Sequence, residues 1–500
     1  MLVIRGGRLF DCATRTAEPR DVLIRGDTIA ELGPPGLAAP AGSEAIDAEG
    51  RILIPGLVNA HTHGHSNLHR STGDRWTLEH LLNAGPLIRG DLSIEDRYLN
   101  TLIGAVEMVS KGCTACYDLF YEFPMPSAEG ISAVARAYAD VGMRTVIASM
   151  MTDSTFYASV PGLLDAIPDE LRGPFEAASK VRSIPWQACF EVIERAIREW
   201  NFDRDQIRLA VAPTIPLHCS DEYLRRTAAF ARDWGCGFHT HLAESKVQAV
   251  AGLARYGHSL TAHLDELGVL GPNFTAAHCV WVDDDDVARL ADKGCFVAHN
   301  PGSNMRLGTG LAAVRRMLDK GVAVGIGTDG RTCSDNQNMF EAMRLAAFTS
   351  RVQGPDFSRW LSADEVFRMA SQGSARVLGL DGKIGAIAPG HKADTVFLDA
   401  CNTNYVPLND ATNQIVFAED ATGVDSVMIG GRLVYENRRF ANIDTDGLGG
   451  RAEAVVERLG ASNEAAKELA LKLEAVVASF CGGLAKQPFH VHRYAGGDEG

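Results

Sequence analysis

The chain has no uninterrupted apolar run of membrane-spanning length. The opening Met1-Leu2-Val3-Ile4 meets Arg5 at once, and no later run approaches about twenty apolar residues. No transmembrane helix is expected, and without a charged-then-apolar opening segment the protein is expected not to be exported. Positive charge is also short: 48 Lys and Arg stand against 63 Asp and Glu, a net charge of -15. That balance repels phosphate backbones and anionic lipid surfaces, so neither nucleic acid nor membrane is an expected partner. The eleven cysteines lack order. They are scattered, and Cys113-x-x-Cys116 has no second pair to complete a zinc site. Reduced thiols in a cytoplasm are the expectation.

What is present begins with the run Ile52-Leu53-Ile54-Pro55-Gly56-Leu57-Val58, which ends in Asn59-Ala60-His61-Thr62-His63. Side chains alternate along a strand, so His61 and His63 project from one face at metal-ligand spacing. At 500 residues the chain exceeds one compact core, and a barrel with a smaller satellite accounts for the length. Short β-prone runs fill the first stretch, as in Val22-Leu23-Ile24-Arg25, and return in Thr395-Val396-Phe397-Leu398 and Val424–Ile429. Neither end can bury a sheet face alone, which predicts one β-sandwich made from both.

Between them strand alternates with helix. Ser93 starts a helix whose Leu99, Leu102, Ile103, Val106 and Val109 recur at helical spacing up to Gly112. Strands follow over 113–118, 144–149, 207–213, 237–241, 274–279, 295–300 and 322–328, with helices after Ser220, over 283–293 and over 311–320. With the strand before His61 this makes eight, the arithmetic of an α/β, TIM-type (β/α)8 barrel whose catalytic groups collect at the strands' carboxyl ends. The predicted organisation is a sandwich from residues 1–57 and 376–441, a barrel over 58–375, and a helical tail over 442–500. Residues 153–205 form a long insertion, expected to be a lid or an oligomer contact. In the tail, Leu469, Leu473, Val476, Val477 and Phe480 make one helical stripe that should pack on the barrel or a partner subunit, and the last six residues look disordered.

Placed on the strand ends, the polar residues converge. The first strand ends at His61 and His63, the fifth at His239-Thr240-His241 with Glu244 just beyond, the sixth at His278 and the eighth at Asp329. Three imidazoles and a carboxylate suit a divalent first-row ion with an open position for water, whose pKa falls to around 7 on binding. Glu244, one turn past a ligand, is the natural proton shuttle, with His278 and Asp329 flanking the water. Taken singly, His278 could be a core histidine and Asp329 a helix cap; together on one rim they point to chemistry.

These motifs, Pro55-Gly56-Leu57-Val58-Asn59-Ala60-His61-Thr62-His63, His241-Leu242-Ala243-Glu244, Ala277-His278-Cys279, His299-Asn300-Pro301-Gly302-Ser303-Asn304-Met305 and Gly327-Thr328-Asp329-Gly330, resemble the amidohydrolase superfamily. Within it they look most like the cytosine-deaminase-like branch of adenosine-analogue and guanine deaminases and triazine (atrazine) chlorohydrolases. The resemblance runs to about Arg439. It implies one Zn2+ or Fe2+ ion held by His61, His63, His241 and Asp329, with Glu244 and His278 transferring protons and orienting water. The fourth strand's Val211-Ala212-Pro213-Thr214 offers no lysine to bridge a second ion.

The chain departs from that branch where substrate is chosen. Thr214 replaces a histidine typical of adenine-nucleoside deaminases, with His218 displaced beyond it, and Leu87-Ile88-Arg89-Gly90 replaces a ribose-gripping glutamate. Both departures argue against a nucleoside. The candidate substrate contacts are His65, Asn67, His69, Arg70 and Trp76 after the first strand, then Thr214, His218, Asn304 and Ser334; the loop histidines have solvation as their alternative. Residues 333–338 either contact ligand or cap the following helix, and Cys333 has no base to make it a nucleophile. The expected activity is hydrolytic deamination of an amino-substituted N-heterocycle (pyrimidine, purine base, pterin or triazine type) by a homodimer or higher homo-oligomer. The same machinery could cleave an amide, urea or carbon–halogen bond, and a non-catalytic scaffold is the remote alternative.

Overall fold

The run Ile52–Pro55 is buried on both faces, and that fixes the plan of the molecule. The computed structural model describes residues 1–85, 91–123, 125–180 and 185–495. The strand Arg51–Pro55 pairs antiparallel with Thr395–Asp399, so the two ends of the chain meet in its seven-stranded sheet. Period-two alternation divides the side chains: Leu53 and Phe397 face Ile4, Ile24 and Ile29 of a four-stranded sheet, while Ile52, Ile54, Val396 and Leu398 pack with the barrel's outer layer. The sandwich expected from both ends therefore forms, and its larger sheet is cemented to the barrel.

Gly56 carries the chain from that sheet into the barrel, where an added Cβ would lie 2.1 Å from Thr114 Oγ1. The barrel strands are β1 (Leu57–Thr62), β2 (Cys113–Phe120), β3 (Arg144–Met151), β4 (Ile207–Pro213), β5 (Phe238–Leu242), β6 (Phe274–His278), β7 (Phe296–His299) and β8 (Ala323–Ile326). They lie in chain order, each parallel to the next, as the eight apolar runs predicted. Small residues such as Ala60, Ala115, Ala148, Ala210, Ala212 and Ala298 fill the interior around Tyr117. The seam between β8 and β1 closes just beyond the ladder. Asp329 N–H donates to the His61 carbonyl at 2.9 Å, and the Asn59 side chain donates to Thr328 Oγ1 at 2.7 Å while accepting from Thr328 N–H at 3.1 Å.

Ser93 caps the helix Ile94–Ser110 and Ser220 caps Asp221–Asp233, as their sequences indicate. The helix expected over 311–320 is shorter, Val314–Asp319, because Leu311 N–H is committed to the carbonyl of Arg493. The insertion folds into short helices, and the C-terminal helix Glu464–Ala485 buries Leu473, Val477 and Cys481 against the insertion's Tyr157, Val160, Leu163 and Ile167. The tail's stripe thus packs within this chain. Residues 86–90 and 496–500, where the missing glutamate and the terminal disorder were inferred, lie outside the described residues.

Candidate active site

Side-chain hydrogen bonds aim the imidazoles before any ion is considered. His63 Nδ1–H donates to the Leu119 carbonyl at the end of β2 (2.8 Å), and His241 Nδ1–H donates to the Thr214 carbonyl just past β4 (2.6 Å). With those protons fixed on Nδ1, each neutral ring presents a lone pair at Nε2. The two Nε2 atoms lie 3.2 Å apart, where facing lone pairs repel unless a cation sits between them. Asp329 Oδ1 is 3.1 Å from His63 Nε2 and 3.5 Å from His61 Nε2, and the latter atom is buried without a hydrogen-bond partner among the described residues. Four donors set tetrahedrally at about 2.0–2.1 Å from zinc stand about 3.3 Å from one another. The three separations, 3.1, 3.2 and 3.5 Å, match that spacing, and one ligand atom from each of His61, His63 and Asp329 lies within 4.8 Å of the others, so these residues fit a divalent ion.

The electrostatics follow from burial. Desolvation pushes His61 down to about 4 and His241 well below the ordinary imidazole value, keeping both neutral as ligands must be. Burial alone would raise Asp329 and lower His63, but their mutual contact outweighs it: Asp329 is held well below the usual carboxylate range, and His63 is raised. Glu244 moves the other way. Its carboxyl is fully buried, one oxygen has no hydrogen-bond partner among the described residues, and Asp329 and Glu79 add negative potential. A carboxyl raised in this way can carry a proton near neutrality. His278 completes the rim, its Nε2 3.6 Å from Glu244 and 3.9 Å from Asp329, while its Nδ1–H donates to Asn304 Oδ1 at 2.9 Å. Burial lowers it too.

Above this rim opens a cavity of about 740 Å³ lined by His63, His241, Glu244 and Asp329. Its far wall comes from the insertion, through Asp153–Phe156, Ala158, Trp186 and Cys189. Of the two roles expected for the insertion, the structure places it over the cavity.

Residues 52–434 match the amidohydrolase family. The chain belongs to that family. It is 33% identical over 445 residues to a 5'-deoxyadenosine deaminase from Methanothermobacter thermautotrophicus, covering 88% of this chain and 94% of the relative. It is 32% identical over 454 residues to a 5-methylthioadenosine/S-adenosylhomocysteine deaminase from Syntrophobacter fumaroxidans, covering 89% and 95%. Among solved structures, a zinc-bound adenosine deaminase from Xanthomonas campestris superposes with a TM-score of 0.79 at 25% identity, covering 92% of this chain and 98% of its own. An atrazine chlorohydrolase from Arthrobacter aurescens TC1, complexed with zinc, gives 0.81 at 26%, covering 91% and 100%. The protein is a hydrolytic enzyme with an amidohydrolase barrel.

In this amidohydrolase the sequence-derived candidates separate into two groups. His65, Thr214 and His218 line the cavity together with the rim residues. Asn67, His69, Arg70, Trp76, Asn304 and Ser334 do not. Asn67 is buried against Gly104 and donates to the Gly64 carbonyl, and His69 is buried, with its ring lowered to about 4 by desolvation. Arg70 is exposed, and Trp76 packs over Gly73. Asn304 stands behind His278, and Ser334 bonds the carbonyls of its own loop. In that loop Asn338 caps the helix Met339–Arg351, accepting from Phe340 and Glu341 N–H. Cys333 lines the cavity, but burial, with Asp329 and Glu244 nearby, drives its thiol well above the ordinary range.

Three supporting features escaped the sequence. Asp118, near the end of β2, accepts from Gly64 N–H at 2.7 Å and Tyr138 Oη–H at 2.9 Å, anchoring the loop after β1. Gln337 accepts from Thr62 and Thr328 hydroxyls at 2.8 and 2.7 Å and donates to the Asp329 carbonyl at 2.8 Å. The backbone is left-handed at Ala243 (φ 48°), His278 (71°), Cys279 (47°) and Asp329 (60°), strained positions for residues other than glycine and clustered on the rim. A carboxylate closing a strand was the one available signal, for Asp118.

Proposed function

We propose that the protein is a zinc-dependent deaminase of an amino-substituted aromatic N-heterocycle, with His61, His63, His241 and Asp329 holding one ion. The carrying observation is the pairing, on one rim, of closely spaced imidazole and carboxylate donors with a buried Glu244, 3.6 Å from His278, whose pKa burial raises. When bound, the ion supplies a Lewis acid that makes a water acidic enough to attack near neutral pH. His278 and Asp329 orient that water from either side. Glu244 protonates the ring nitrogen beside the attacked carbon, so that charge pushed out of the C=N bond is neutralised as it forms. Left as a carboxylate, Glu244 then takes the proton of the newly added hydroxyl and passes it to the departing amine, so that the carbonyl forms as ammonia leaves.

The curated relatives are named for adenine nucleosides, but Thr214 on the cavity wall departs from the residue that such enzymes carry, which favours a free base or related ring. The structural likeness to an atrazine chlorohydrolase supports one second reading, displacement of a ring substituent other than an amine. Eleven unpaired thiols favour a reducing cytoplasm, and assembly into a homo-oligomer belongs to the same proposal. The test is ammonia release by zinc-replete protein across aminopyrimidines, aminopurines, aminopterins and aminotriazines. A hit abolished by a chelator supports deamination. Silence at full zinc occupancy, with turnover of halogenated rings, transfers the mechanism to the second reading.

A further inference from the structure

A second group of metal-ligating side chains lies on the barrel's outer shell. The helix Lys246–Tyr256 is stopped by Gly257 in the left-handed conformation, and Ser259 caps the next helix, Leu260–Glu266. The short turn leaves His258 beside His263 and Glu266, which are three residues apart and so share a helix face. One ligand atom from each of the three lies within 4.8 Å of the others. His258 Nε2 stands 3.5 Å from Glu266 Oε2 and is buried with no hydrogen-bond partner among the described residues. A further carboxylate is at hand: Asp221 Oδ1 accepts from His263 Nε2 at 2.8 Å. Tyr256 stacks on the His263 ring, with centroids 3.7 Å apart, and holds it in place.

We propose that His258, His263 and Glu266 form a second divalent transition-metal site, independent of the barrel centre, with Asp221 fixing the His263 ring from behind. Two imidazoles and a carboxylate suit Zn2+ or Cu2+ and disfavour Ca2+ and Mg2+, which take oxygen donors. The site lies beside the cavity's support. Asp221 opens the helix whose cap, Ser220, donates to Asp153 in the cavity wall, and Arg255 of the preceding helix donates to the carbonyl of Leu217, next to His218. An ion there would reach the helix Asp221–Asp233 through the His263–Asp221 hydrogen bond.

Metal counting on the full chain, loaded with Zn2+ and desalted, tests the assignment. Wild type should hold two ions per chain, and His258→Asn and Glu266→Gln one each. Asp329→Ala, which removes a barrel ligand, should also retain one. The Asp329→Ala chain loaded with Cu2+ should show paramagnetic-resonance coupling to two ring nitrogens, and that signal should be lost when His258→Asn is added. A single ion in wild type overturns the proposal, and so does a second ion that survives both His258→Asn and Glu266→Gln.

Discussion

At the scale of the residue, the site works through where protons are kept. Backbone carbonyls at the end of β2 and after β4 hold the Nδ1 protons of His63 and His241, leaving a lone pair at each Nε2, while one oxygen of the buried Glu244 carboxyl has no hydrogen bond among the described residues to favour its charge. Glu244→Gln keeps the shape and removes the transferable proton. Turnover should fall by about two orders of magnitude or more with zinc content unchanged; near-normal turnover in a zinc-loaded variant would reassign the shuttle. Asn304→Ala tests the residue behind the rim. It removes the acceptor for His278 Nδ1–H, so the ring loses its fixed tautomer and orientation. The turnover number should drop about tenfold or more while KM and metal content hold. A change in KM alone would instead mean that Asn304 acts on substrate.

At the scale of the element, the barrel depends on a seam whose partners are distant in sequence. Asn59 makes both of its Thr328 bonds across that seam, fully buried. Asn59→Ala leaves buried donors and acceptors unmet and should cost roughly 2–4 kcal/mol, read as a lower thermal midpoint with the ion still bound. An unchanged midpoint would show that the ladder alone closes the barrel. This seam marks the limit of what sequence conveys. The eight strands were legible because each is a short apolar run bounded by turn residues, and the helices at Ser93 and Ser220 because their caps are local signals. That the proposed ligands gather was legible because strand ends of a parallel barrel share one rim. What stayed hidden depends on tertiary contact. The Asn59–Thr328 bond spans 269 positions, the left-handed turns at His278 and Asp329 carry no glycine to announce them, and the 311–320 helix is shortened by a distant carbonyl at Arg493. Substrate contacts suffered most: His69 and Asn67 look like loop polar groups until burial shows them to be structural.

At the scale of the whole molecule, the two segments without a place in the barrel repeat depend on each other. The insertion supplies the cavity's far wall, and the helix Glu464–Ala485 supports it from behind. Tyr157 Oη–H donates to Asn83, which in turn donates to the carbonyl of Ala470 in that helix. Phe156, one residue from Tyr157, lines the cavity and packs on the His218 ring, so displacing the support should be felt at the substrate. Leu473→Ala and Val477→Ala together open space in the shared apolar cluster. Each should cost about 1–4 kcal/mol, but locally, because the cluster sits outside the barrel core. The expected result is faster proteolytic cleavage within residues 153–205, a higher KM, and unchanged zinc content. Unchanged cleavage and KM would mean that the insertion stands by itself and the tail only covers it. If zinc were lost instead, the tail would support the barrel rather than the cavity wall, although it supplies none of the groups proposed to bind metal on the rim.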